Sequence, residues 1–202
     1  MNFNEEEYAA ILENIFKSYD KHEVLNNLNL AFPKNNINCV LGSSGKGKTT
    51  ILNLIAGLIK EDKGKVFRCS NEISYMFQED RLIPWLNVFS NIEFVLKSYK
   101  SQVEIKKITN NLLELVELKD YESFFPNQLS GGMKRRVSLA RAFSYESDIL
   151  ILDEPFKGLD NELKYRIMDR MLINYNKRKQ TIIMVTHDEE EAKYLNANII
   201  KL

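Results

Sequence analysis

The first third of the chain mixes apolar and polar positions at short spacing. Residues 1–7 read as a polar leader. Residues 8–17, carrying Ala9, Ile11, Leu12, Ile15 and Phe16, predict a strand, and residues 18–22 a turn. Residues 24–32 alternate in part (Val24, Leu28, Leu30, Phe32) and predict a second strand, closed by Pro33, Lys34, Asn35 and Asn36. A short apolar run, residues 37–41, enters a glycine-rich turn, which enters an apolar helix at residues 51–57. Short strands are expected at 65–69 and 73–77, the second ended by Gln78, Glu79 and Asp80. Beyond Leu82 the period changes. Val88, Ile92, Val95 and Leu96 make one helical stripe, and Ile105, Ile108, Leu112, Leu115 and Val116 another. This block, to Phe125, reads as an inserted helical subdomain. A further helix follows Ser130, its natural N-cap. Ile149, Leu150, Ile151 and Leu152 run unbroken into Asp153, as a parallel strand buried on both faces does. A helix is expected at 161–175, a buried strand at 181–185, a helix capped by Asp188 with Glu191 in capping-box spacing, and an edge strand at 199–202. The fold class is therefore α/β: a parallel-sheet core, an antiparallel β layer and a helical insertion.

Three places carry chemistry. Gly42, Ser43, Ser44, Gly45, Lys46, Gly47, Lys48 and Thr49, followed by Thr50, fit G-x-x-x-x-G-K-[ST] between a strand and a helix, the context that confirms a phosphate-binding loop. Glycines let backbone N–H groups turn inward as a nest for phosphate oxygens. The following helix aims its positive end at the same point. Lys48 can reach terminal phosphates, and the Thr49 hydroxyl can ligate Mg2+. Second, Asp153 and Glu154 stand at the C-terminal end of a buried strand, where open α/β sheets place ligands. Asp153 is a candidate for Mg2+, directly or through water, and Glu154 for orienting and deprotonating an attacking water. Third, Ser130, Gly131 and Gly132 expose N–H groups at a helix start, a second anion site. Taken in isolation, those three residues are better explained by a capped helix with a glycine entry.

Bulk properties narrow the setting. The 202 residues hold 28 basic and 28 acidic side chains, a balance that does not point to a nucleic-acid partner. The two cysteines, Cys39 and Cys69, have no metal-like spacing, and a reduced cytosolic compartment fits them. Glu5, Glu6, Glu7, Glu13 and Asp20 are unlike a signal peptide. No uncharged apolar run approaches membrane-spanning length, so a membrane role would run through a partner.

Taken together, these motifs resemble the nucleotide-binding subunits of ABC transporters, over essentially the whole chain. Gly42 to Thr49 look like Walker A, within a P-loop NTPase (RecA-like) core. Leu129, Ser130, Gly131, Gly132 and Met133 resemble the signature motif. Ile149 to Glu154 resemble Walker B with its catalytic Glu154. Gln78 falls at the Q-loop glutamine, Asp160 in the D-loop region and His187 at the switch histidine. Tyr19 matches the aromatic that stacks on adenine; covering a sheet edge is the lesser alternative. The resemblance implies a single ABC ATPase domain. Residues 1–80 and 148–202 would form the core with its antiparallel layer, and about 81–147 the helical subdomain. It implies ATP and Mg2+, with Thr49, Asp153 and Gln78 serving the metal and His187 meeting the γ-phosphate. It implies a head-to-tail homodimer with ATP between Walker A of one copy and the signature of the other. Asp160 would cross that interface, while also able to cap the next helix. Three positions depart from the family pattern. Lys46 replaces a small residue, and either adds charge beside the phosphates or projects into solvent. Met133 stands for the commoner Gln, and Lys157 for a small residue before Gly158.

The stretch from Gln78 to Val88, with Pro126, Asn127 and Gln128, looks most like importer ATPases of the nitrate/sulfonate/taurine type. A separate transmembrane permease and a substrate-binding protein are implied partners, with the chain peripheral on the cytoplasmic face of the membrane. Trp85, Leu86 and Phe89 would line the groove that receives the permease, or else belong to the core of the helical subdomain. The competing readings are a non-transport ABC-type ATP switch acting on nucleic acid or ribosomes, and a P-loop kinase. Neutral charge and the lack of a long coiled-coil insert weigh against the first.

Overall fold

The computed structural model describes residues 4–20, 22–43, 45–178 and 180–202. The first three residues of the polar leader and Lys21 of the expected turn lie outside them. The chain forms two compact units. One comprises residues 1–75, 147–154 and 179–202, the other residues 76–146 and 155–178.

The first unit contains two sheets. In the smaller, β1 (Tyr8–Tyr19) pairs antiparallel with β2 (His22–Pro33) on one side and β4 (Lys63–Arg68) on the other. The strands of this hairpin run further than the apolar pattern suggests. Ser18 and Tyr19 stay in the ladder opposite Glu23 and His22, so the turn is tighter than the five residues expected. Bulges interrupt both strands. Asn14 and Asn27 adopt left-handed φ values of 50° at the register shifts, a conformation asparagine tolerates. The Asn14 amide is taken by Asn29 Oδ1 at 2.9 Å. Beneath this bulge Gly64 has φ 99°, and a Cβ there would stand 2.4 Å from the Glu13 and Asn14 carbonyl oxygens, so the close approach of the two strands requires glycine.

The larger sheet has the order β5 (Ile73–Met76), β6 (Ile149–Asp153), β7 (Thr181–Thr186), β3 (Ile37–Leu41), β8 (Asn198–Lys201). The ladders β6–β7, β7–β3 and β3–β8 are parallel, with Cys39 opposite Met184 and Leu152 opposite the same residue from the other side. All residues of β3, β6 and β7 are buried, which is why these strands read as mostly apolar runs, broken in β3 by the buried Asn38. Helix α1 (Lys48–Ala56) joins the core through Ile51, Leu52, Leu54 and Ile55, beside Val40, Ile151 and Val185. It ends on Gly57, left-handed at φ 71°, as a C-cap glycine does. The edge strand expected at the end of the chain forms as β8.

The second unit is helical: α2 (Val88–Leu96), α3 (Gln102–Leu115), α4 (Gly131–Ser144) and α5 (Asn161–Arg178). The stripes do what their period predicts: Val88, Ile92 and Leu96 of α2, and Ile105, Leu112 and Leu115 of α3, are buried. Caps fix the helix starts. Asn87 accepts from the Ser90 amide, and Ser101 with Glu104 completes a capping box on α3. In the first unit the last helix, α6 (Glu189–Tyr194), carries the expected Asp188 cap, which accepts from the Glu190 amide. The Glu191 carboxylate takes the Thr186 hydroxyl at 2.6 Å, and that hydroxyl takes the Asp188 amide at 3.1 Å, so Glu191 ties the helix to the end of β7.

Candidate nucleotide site

Three adjacent parallel strands, β6, β7 and β3, deliver their C-terminal ends to one edge of the sheet, where this class of fold holds ligands. The loop after β3 curls through Gly45 (φ 83°) and Gly47 (φ 79°), and Gly47 is the N-cap of α1. A Cβ on Gly47 would meet Leu25 Cδ2 at 2.7 Å and Val24 Cγ1 at 3.0 Å, so β2 packs directly on the loop. Lys48 is buried, and its ammonium donates to Gly42 O at 2.7 Å and Ser43 O at 2.8 Å. The cation is thereby folded back over its own loop, beside the free amides of the helix start. Thr50 is buried, whereas Lys46 is exposed to solvent. Ser44 lies outside the described residues.

From β6, Asp153 is almost wholly buried and accepts the Thr49 hydroxyl on Oδ2 at 2.8 Å. The two residues are 104 positions apart in sequence, and the parallel ladders bring them together. A hydroxyl and a carboxylate are hard oxygen donors. Mg2+ is held by one or two such protein groups together with phosphates and water, so the pair fits it. Among the described residues there is no cluster of three or more His, Cys, Asp or Glu that would suit a metal held by protein alone.

Glu154 follows with φ 49°, a left-handed conformation that costs a non-glycine residue about 1–2 kcal/mol. Its amide donates to Val185 O at 2.9 Å, which holds the backbone in that turn. Its Oε1 stands 3.6 Å from Nδ1 of His187, whose side chain is 63% exposed at the end of β7. Tyr19 stands at the turn end of the β1–β2 hairpin, opposite His22 and 45% exposed, with the Lys17 ammonium 5.7 Å from the ring centroid. Cys39 of β3 is fully buried, and burial, helped by Glu191, pushes its thiol up to about 12.

The second unit holds the other candidates. Ser130 caps α4, accepting from the Met133 amide at 3.3 Å; Ser130 and Gly131 are exposed at the helix start. Gly132 lies beside Leu159 and Gly158, with 3.5 Å between its Cβ position and Leu159 Cδ2. Asp160 is exposed and caps α5 through the Leu163 amide at 2.9 Å. The Gln78 side chain is exposed while its carbonyl is taken by Arg135. Arg135 was not singled out from the sequence; its one signal is a charged residue among the apolar positions of α4. Trp85 is 76% exposed and so is not core, while Leu86 and Phe89 are half-buried.

A family model described as ABC transporter matches residues 25–157, spanning the phosphate loop, the signature stretch and the Asp153–Glu154 pair. The chain belongs to the ABC transporter family. It is an ATP-binding cassette, and ATP hydrolysis is the reaction of its family. It is 40% identical over 184 residues to the aliphatic sulfonates import ATP-binding protein of Bacillus subtilis, covering 87% of this chain and 71% of that one. It is 36% identical to a probable sulfate/thiosulfate import ATP-binding protein of Chlorella vulgaris, covering 96% of this chain and 87% of that one. A solved dimeric ATP-binding cassette in a post-hydrolysis state, bound to ADP and Pi, superposes with a TM-score of 0.87 at 30% identity, covering 96% of this chain and 94% of that one.

Proposed function

We propose that this cassette is the ATP-hydrolysing subunit of an importer. Two copies would close head to tail on ATP and drive a separate transmembrane permease. The observation that carries the dimer is the exposed start of α4: Ser130 and Gly131 offer amides and a positive helix end to an anion, yet the phosphate loop is in the other compact unit of the chain. A second copy would supply the phosphates for it. The solved relative that resembles this chain is described as a dimer bound to ADP and Pi, which supports this reading.

In the closed dimer the residues divide the work. The loop amides of residues 42–50 and the Lys48 ammonium hold the phosphates, and Tyr19 stacks on the adenine. Thr49 and Asp153 hold Mg2+, and Gln78 serves the same ion. Bound Mg2+ supplies neutralisation of phosphate charge. Glu154 orients a water and takes its proton as the water oxygen bonds to the γ-phosphorus and the bond from that phosphorus to the β–γ bridging oxygen breaks, releasing ADP. His187, beside Glu154, meets the γ-phosphate, and Asp160 reaches the partner copy.

The importer assignment follows the names of the sulfonate and sulfate/thiosulfate relatives. No helix among the described residues is long and apolar enough to cross a membrane. We take the permease to be another chain, as the names of import ATP-binding relatives suggest, with this one peripheral on the cytoplasmic face and a substrate-binding protein outside. Trp85, Phe94 and Val103 stand exposed on the helical unit, and Phe89 and Val103 line a groove of about 590 Å³ flanked by Lys106 and Lys107. Apolar anchors of this kind suit a permease segment.

Replacing Glu154 by Gln removes the base and keeps the shape. The variant is expected to lose hydrolysis and to accumulate as an ATP-bound dimer by light scattering at saturating ATP and Mg2+. A variant that stays monomeric under those conditions overturns the head-to-tail reading.

A further inference from the structure

The segment that carries Gln78 is held by guanidinium groups from α4. β5 ends at Met76, so the carbonyls that follow have no sheet ladder to enter. Arg135, one turn beyond Gly131, is only 5% exposed. Its Nη1 donates to Phe77 O at 2.9 Å and to Gln78 O at 2.8 Å, and pairs with Asp80 Oδ1 at 3.2 Å. Further along the helix, Arg141 donates to Arg81 O at 2.9 Å and to Asp80 O at 3.0 Å. Arg81 itself adopts φ 44° and lays its guanidinium 4.0 Å from the centroid of the Phe77 ring, which closes the loop on itself. Four carbonyls within five residues are thus fastened to one helix.

We propose that Arg135, seconded by Arg141, is a positioning residue that locks the Gln78 segment to the helix bearing Ser130, Gly131 and Gly132, so that both move as one piece. The inference rests on the reading of Gln78 and of those three residues as nucleotide-site groups. An exposed side chain is aimed by its backbone, and here the backbone carbonyl of Gln78 is pinned one helical turn from the signature. A helix is stiff, so a push on the Gln78 segment is delivered to the start of α4 without slack. Hydrogen bonds from a charged donor, largely shielded from water, are the strong kind, and a shorter neutral side chain would not span the same carbonyls.

The test uses the full chain with Arg135→Gln, Arg135→Lys and Arg141→Gln, alone and combined with Gln78→Ala. In nucleotide-free protein, Arg135→Gln is expected to speed amide exchange across residues 77–82 by at least about tenfold while leaving α1 and β3 unchanged. Its kcat should fall at least about tenfold with KM for ATP within about twofold, because a misplaced group and not the phosphate loop is affected. Combined with Gln78→Ala it should lose no more than Gln78→Ala does alone. Arg135→Lys keeps the charge facing Asp80 and should recover part of the loss. If Gln78→Ala lowers kcat but Arg135→Gln does not, or if their losses multiply, the positioning role is overturned. If Gln78→Ala itself changes nothing, the reading of Gln78 falls and the inference with it. Should Arg135→Gln fail to fold, Arg141→Gln, from a half-exposed position, carries the same comparison.

Discussion

Single residues in this cassette hold conformations that other residues would resist. Gly45 and Gly47 are both left-handed, but they differ in surroundings: nothing lies within 4 Å of a Cβ on Gly45, whereas one on Gly47 strikes Leu25 and Val24. Gly45→Ala should therefore cost only the conformation, about 1–2 kcal/mol. Gly47→Ala should cost that and the overlap, about 1–3 kcal/mol more. Urea unfolding midpoints of the two variants read the difference; equal losses would mean that β2 does not press on the loop. Cys39 tests burial through pH. Its thiol is held near 12 against an ordinary value of 9.0, chiefly by desolvation. Above pH 9 the unfolded chain releases this proton and the folded chain keeps it, so the folded state binds more protons and stability falls as pH rises. Wild type should lose about 1–2 kcal/mol from this group between pH 8 and pH 10, a loss that Cys39→Ala does not share. Parallel slopes in the two proteins would show that the thiol is not buried as described.

At the scale of elements, one buried side chain organises a loop. Asn91 of α2 is fully buried; it accepts from the Ile83 amide at 2.8 Å and donates to the carbonyls of Ile83, Leu86 and Asn87. The loop so pinned displays Trp85, the only tryptophan of the chain. Asn91→Leu keeps the branched shape, adds some bulk and orphans those backbone groups, at about 2–4 kcal/mol in all. Tryptophan fluorescence anisotropy should drop well below the unfolding transition, because the probe sits in the loop itself. An unchanged anisotropy with unchanged stability would refute the role of Asn91. Elements of this protein were legible where burial writes a period. β3, β6 and β7 are mostly apolar because both faces are covered, with Asn38, Asp153, Thr181 and Thr186 their buried polar exceptions, and α2 and α3 carry stripes because one face is. What escaped the sequence follows from long-range partners. The extension of β1 to Tyr19, the bulges at Asn14 and Asn27, and the turn of Glu191 toward Thr186 depend on which strand or hydroxyl lies opposite. The meeting of Thr49 with Asp153 could be expected from two parallel strands ending at one edge. The clamp of Arg135 on Phe77 and Gln78 could not, since a charged residue on a helix reads as solvent-facing until its partners are known.

For the molecule as a whole, the chain carries a phosphate loop in one compact unit and the Ser130–Gly132 amides in the other. The proposed dimer makes a sharp statement about which copy serves which. A Lys48→Ala chain retains its signature and lacks a competent phosphate loop; a Ser130→Arg chain has the reverse. Homodimers of either have no complete site. In a head-to-tail hybrid, the phosphate loop of the Ser130→Arg chain faces the intact signature of the Lys48→Ala chain, and one site is whole. Random pairing at equal concentrations makes half the dimers hybrid, each with one good site of two. Independent sites would then restore about a quarter of wild-type hydrolysis. If each chain used its own signature, mixing two dead proteins would restore nothing. The assay is steady-state phosphate release on mixing, and its dependence on the ratio of the two variants should peak at equality.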